Sequence, residues 1–105
     1  MKGKKMQDQE IKLIQVFLSQ QTTPGPAIYE VSTTQEGDII CTCPGFNGRS
    51  TCKHSRFVTA RIKNNNGAYP LEISKRATKE EADLAQVSTE LFRDFIIRFG
   101  KIEVY

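Results

Sequence analysis

Apolar residues along this chain recur in short segments of changing period. Ile11, Ile14, Phe17 and Leu18 fall on one helical face, and Asp8 stands at a capping position, so residues 8–19 read as a helix. Leu13 and Val16 widen the apolar arc and leave a strand open as the alternative. Thr22-Thr23-Pro24-Gly25-Pro26 breaks the chain. A hairpin follows: Ala27 to Thr33 extended, Gln35-Glu36-Gly37-Asp38 turning, Ile39 to Cys43 returning. After the loop Pro44-Gly45-Phe46-Asn47-Gly48, residues 51–64 read as a helix capped by Ser50 or Thr51 and ended by Asn64-Asn65-Asn66-Gly67. Tyr69-Pro70 leads into a short extended piece, Leu71-Glu72-Ile73.

The pattern Thr78-Lys79-Glu80-Glu81 is a capping box and opens a helical segment over 78–99. Ser88 or Thr89 divides it and Gly100 ends it. Leu91, Phe92, Phe95, Ile96 and Phe99 form a broad stripe that belongs to the core with Phe17 and Phe57. Ile97 falls instead among Glu90, Arg93 and Asp94; with Ile102 or Tyr105 it can mark a protein-contact surface. Ile102-Glu103-Val104-Tyr105 alternates and adds a strand, with the hairpin as one place for it.

Composition places these elements in one domain, residues 1–105. Hydrophobic content of 38% and charged content of 26% are ordinary for a soluble protein. No apolar run approaches the roughly 18 residues of a membrane span. The basic start, Met1 to Lys5, is followed by polar Gln7-Asp8-Gln9-Glu10 and not by an apolar signal core. A reducing intracellular compartment is the expectation, cytoplasmic or nuclear (nucleoid).

The distribution of charge says more than the net +3. Residues 39–71 carry no acid but hold Arg49, Lys53, Arg56, Arg61 and Lys63. On the wheel of the 51–64 helix, Lys53, Arg56, Ala60 and Lys63 share one side, and His54, Phe57, Val58 and Ile62 share the other. Arg61 falls within the apolar arc and should snorkel or pair with a carboxylate of a neighbouring helix.

All three cysteines and the single histidine lie in this same stretch, as Cys41-Thr42-Cys43 and Cys52-Lys53-His54. An odd cysteine count argues against a disulfide framework. A nucleophilic thiol paired with His54 would leave two cysteines unexplained. Thiolate and imidazole together are the ligand set of tetrahedral zinc. Cys41 and Cys43, two apart on a strand, leave the same face; Cys52 and His54 open a helix, whose positive end favours thiolate. Four protein ligands leave no open position, so Zn²⁺ here is expected to be structural. Three thiolates and Zn²⁺ sum to −1, which takes the chain from +3 to +2.

The fold class expected is therefore α+β: a small zinc-stapled ββα finger over residues 27–64, with an N-terminal helix over 8–19 and a C-terminal helical segment over 78–99. Arg49, Lys53, Arg56 and Lys63 form a cationic surface suited to nucleic-acid phosphates. Exposed basic residues are most often only solvated, and the acid-free stretch weighs against that alternative.

The spacing Cys41-x-Cys43-x8-Cys52-x-His54, on a hairpin followed by a helix, resembles the SWIM zinc finger over roughly residues 27–64. The resemblance implies a hairpin packed on a helix, with zinc held by Cys41, Cys43, Cys52 and His54. It also implies DNA binding or protein–protein contact, roles of that family. SWIM fingers usually sit in larger proteins, whereas this chain looks like a small free-standing one, of the sort found in phage and mobile-element genomes. The function expected is a non-enzymatic module binding nucleic acid, DNA first, in regulation or recombination. An adaptor docking on a larger enzyme, such as a polymerase or recombinase, is the alternative. Neither a membrane nor a small-molecule substrate is expected, and no carboxylate pair, phosphate loop or nucleophile–base arrangement supports an enzyme.

Overall fold

A computed structural model describes residues 11–20, 26–46 and 49–104. Four strands, β1 (Lys12–Ser19), β2 (Ala27–Thr33), β3 (Ile39–Cys41) and β4 (Ile102–Val104), form one sheet in the order β3-β2-β1-β4. β4 runs parallel to β1 and the other pairs are antiparallel. Three helices, α1 (Lys53–Asn64), α2 (Lys79–Ala85) and α3 (Thr89–Phe99), complete a small α+β fold.

The segment expected as an N-terminal helix is a strand, β1. Its place in the sheet explains the misreading. β1 lies between β2 and β4, and Leu13, Ile14, Gln15, Val16 and Phe17 are all buried. A strand covered on both faces loses its two-residue alternation and presents a continuous apolar run. A register shift between Leu13 and Gln15 blurs the period further. The Asp8 cap lies outside the described residues. So do residues 22–25 of the expected break, Asn47-Gly48 of the loop, and Tyr105.

The pairing fixes which helix covers which face. Phe17 pairs with Tyr29, and Val16 with Glu30, so the two pairs look to opposite sides. On the first side the Phe57 ring of α1 meets Phe17 edge-on, with centroids 5.4 Å apart. On the other, Arg93 of α3 donates to both carboxylate oxygens of Glu30 at 2.6 and 2.8 Å. Lys12 Nζ also stands 4.4 Å from the Phe92 ring centre. The core is thus a sheet between α1 and α3, with Phe17, Val31 and Val58 fully enclosed.

The hairpin β2–β3 forms, turning at Gly37, whose φ of +92° suits glycine, but its second strand ends at Cys41 and not at Cys43, so Cys43 lies just past the strand. The C-terminal segment divides at Ser88, whose hydroxyl accepts the Leu91 N–H at 3.1 Å. The Thr78/Glu81 capping box forms ahead of α2. Gly100 ends α3; a Cβ there would stand 2.6 Å from the Ile96 carbonyl oxygen.

β4 joins β1 and not the hairpin, because the chain leaving Gly100 is held on the β1 side. The Lys101 carbonyl accepts Gln15 Nε2–H at 2.7 Å, and the Lys101 N–H donates to the Glu72 carbonyl at 2.9 Å. Arg61 finds its carboxylates outside any helix, at Glu72 (3.5 Å) and at Glu103 of β4 (3.9 Å). Its guanidinium also lies 5.0 Å from the Phe57 ring centre.

Candidate functional site

Two local structures deliver the four candidate ligands. Cys41 ends β3 opposite the buried Val31. Thr42 prolongs the pairing, its N–H donating to the Glu30 carbonyl at 3.1 Å and its hydroxyl accepting the Glu30 N–H at 3.0 Å. Cys43 is thereby kept beside Cys41, and its N–H points to Cys41 Sγ at 3.5 Å. A turn then brings the chain back, with the Phe46 N–H on the Cys43 carbonyl and the Ser50 N–H on the Phe46 carbonyl. Ser50 takes a positive φ of 60° on that return.

The helix cap differs from expectation. Neither Ser50 nor Thr51 caps α1; Cys52 does. Cys52 Sγ accepts the Ser55 N–H at 3.4 Å, and the Ser55 hydroxyl accepts the Cys52 N–H at 2.9 Å. This is a capping box with sulfur in the place of a hydroxyl oxygen. His54 follows in the first turn and is 2% exposed. Its ring packs on Phe17 at 4.8 Å and on Tyr29 at 5.5 Å between centroids.

The ligand atoms of Cys41, Cys43, Cys52 and His54 lie within 4.8 Å of one another. His54 Nδ1 is 3.8 Å from Cys41 Sγ and 3.9 Å from Cys52 Sγ. Ligand–ligand edges in a tetrahedral site with sulfur and nitrogen donors are about 3.6–3.8 Å, given bond lengths near 2.3 and 2.1 Å. The four donors fit one metal ion, and a thiolate-rich set suits a soft or borderline one. Cys43, Cys52 and His54 are buried and Cys41 partly so.

The surroundings prepare the donors unequally. Burial pushes the Cys41 thiol up to about 12, despite the Cys43 N–H that favours its thiolate, and contacts with Cys43 and Cys52 add to the rise. Burial also opposes ionisation of Cys52, but the Ser55 N–H and hydroxyl, with Cys43 and Cys41, outweigh it and set this thiol below its usual value. Burial, then the Lys53 charge, holds His54 below its usual value and favours the neutral ring that ligates metal.

The expected cationic residues Arg49, Lys53, Arg56 and Lys63 are exposed, while His54 and Val58 are buried on the far side of α1. Three of them meet. Arg49, Lys53 and Arg56 line one cleft of about 350 Å³ together with Tyr29, Thr51 and the candidate ligands Cys43, Cys52 and His54. Lys63 is exposed on α1 outside that cleft. Among the described residues no ion pair is formed by Arg49, Arg56 or Lys63.

Ser55 and Tyr29 escaped the sequence reading. For Ser55 the signal was present: Cys52 and Ser55 have the spacing of a capping box, masked by a cysteine in the first position. Tyr29 carried no signal, because only the pairing with Phe17 turns its ring toward His54. No helix among the described residues is long and apolar enough to cross a membrane. No protein-family model, no curated protein and no solved structure matches this chain.

Proposed function

We propose that the protein is a structural zinc module of the SWIM type that binds nucleic acid, DNA first, without catalysing a reaction. Zn²⁺ would be held by Cys41, Cys43, Cys52 and His54. Bound there, it would supply a rigid link between the end of the hairpin and the start of α1. With four protein donors it has no call for a bound water and no catalytic role. The observation that carries the binding reading is the cleft beside this centre, where Arg49, Lys53 and Arg56 converge. Lys63 extends the cationic surface along α1. A regulatory, recombination or mobile-element setting fits such a module.

The test is titration of DNA and RNA at two salt concentrations, with the parent and with Arg49, Lys53, Arg56 and Lys63 replaced by alanine. The parent should lose affinity linearly with the logarithm of salt, by roughly 0.9 in slope for each duplex phosphate contact. The fourfold variant should bind neither polymer while keeping its metal. Absence of parent binding at low salt would sink this reading.

A second reading, a protein-docking adaptor, is favoured by one observation. Ile28, Val104, Ile97 and Ile102 are 64, 61, 50 and 50% exposed, and Leu18 pairs with both Ile28 and Val104. The pairing places Ile28, Leu18 and Val104 in one row across three strands. A protein partner that survives nuclease treatment and is lost on Ile28→Lys with Val104→Lys would support it.

A further inference from the structure

Resting on the nucleic-acid reading, we propose that the cleft beside the metal centre takes one unstacked nucleotide of a single strand, with phosphate on Arg49, Lys53 and Arg56 and base against the Tyr29 ring. The cleft of about 350 Å³ lies at the lower end of the range for small-ligand pockets, roughly 300–1,000 Å³. That is the scale of one nucleotide. A duplex keeps its bases stacked inside, so a base can reach an aromatic ring in a cleft only after leaving the stack.

The ring and the cations are placed independently. Tyr29 is positioned by its strand pairing with Phe17 and by its contact with His54. Lys53 and Arg56 come from the first turn of α1, and Arg49 from the turn before it. A half-buried aromatic ring beside a cationic groove is the physical combination that holds single strands with little sequence preference. The loaded metal centre itself would carry about −1, from three thiolates and one divalent ion. Arg49 and Arg56, neither in an ion pair among the described residues, already exceed that charge and leave the cleft attractive to an anion, helped by the positive end of α1.

The experiment uses the full zinc-loaded chain with a fluorescein-labelled oligothymidine strand and with a duplex of equal length. The single strand should bind about tenfold tighter or more at low salt. Tyrosine emission reports the contact, since the chain has three tyrosines and no tryptophan. It should fall on binding, and Tyr29→Phe should keep the affinity but lose most of that fall. Tyr29→Leu should weaken the strand roughly 5- to 100-fold, with zinc content unchanged.

Should Tyr29→Leu lose zinc, the emission difference between parent and Tyr29→Phe decides alone. Duplex binding as tight as strand binding, or an emission change that survives Tyr29→Phe, overturns the nucleotide assignment and leaves the broader reading standing. Binding of neither polymer overturns both.

Discussion

Cys52 and Ser55 share three hydrogen bonds: the Cys52 N–H donates to the Ser55 hydroxyl at 2.9 Å, that hydroxyl donates to the Cys52 carbonyl at 3.0 Å, and the Ser55 N–H donates to Cys52 Sγ at 3.4 Å. A candidate metal ligand is therefore also the cap of α1, and the metal site and the helix start share atoms. Ser55→Ala removes the hydroxyl, leaving the buried Cys52 N–H without it and Sγ less fixed. A loss of about 1–2 kcal/mol in stability is expected. Metal affinity should fall roughly 10- to 100-fold, as for other outer partners of ligands. Denaturant unfolding and competition with a chromophoric chelator measure the two effects.

Metal binding should release protons and strengthen with pH. Without metal, the Cys41 thiol, pushed up to about 12, is protonated at neutral pH and must give up its proton to ligate. Burial, then the Lys53 charge, holds His54 below its usual value and favours the neutral ring, so the thiols are the main source of released protons. In folding, His54 contributes stability that is present above its unfolded value near 6.5 and is lost as pH falls through the depressed folded value. Calorimetric titration with zinc at pH 7, in two buffers of different ionisation heat, should show at least one proton released per ion. Equal heats in both buffers would contradict this.

Phe17 ties the core to the site. It is fully enclosed, and its ring meets both His54 and Phe57. Phe17→Ala should cost about 3–5 kcal/mol through the cavity it leaves. It should also weaken metal binding, because His54 loses a wall. Thermal unfolding of the metal-loaded variant, with chelator competition alongside, checks both.

At Gly100 the constraint is contact, not dihedral angle. Its φ of −73° suits any residue, but a Cβ would stand 2.6 Å from the Ile96 oxygen. Gly100→Ala should cost roughly 1–3 kcal/mol, as overpacking does, and loosen β4 from β1. Hydrogen exchange at the Lys101 N–H, bonded to the Glu72 carbonyl, should speed up in the variant.

How legible these features were depends on what each residue answers to. The metal cluster could be read because ligation needs particular atoms at short spacing, and Cys41-x-Cys43 with Cys52-x-His54 supplies them locally. The hairpin, the break at Ser88 and the stripe Phe92, Phe95, Ile96, Phe99 could be read because turns, caps and one-sided burial leave a local period. β1 could not, since its burial comes from partners far along the chain: Tyr29, Val104, and the helices on both faces. The Cys52 cap was hidden by the preference for Ser50 or Thr51, and the place of β4 depended on distant contacts with Gln15 and Glu72.

One zinc ion held by Cys41, Cys43, Cys52 and His54 would join hairpin to helix and sustain the fold. A circular-dichroism melt of the zinc-loaded protein before and after an excess of chelator reads that link. Structural zinc contributes roughly 10–16 kcal/mol in small finger peptides, as much as or more than a small domain's whole stability. The chelated protein should therefore lose its cooperative transition and recover it when zinc is returned. An identical cooperative melt in both states would contradict the claim.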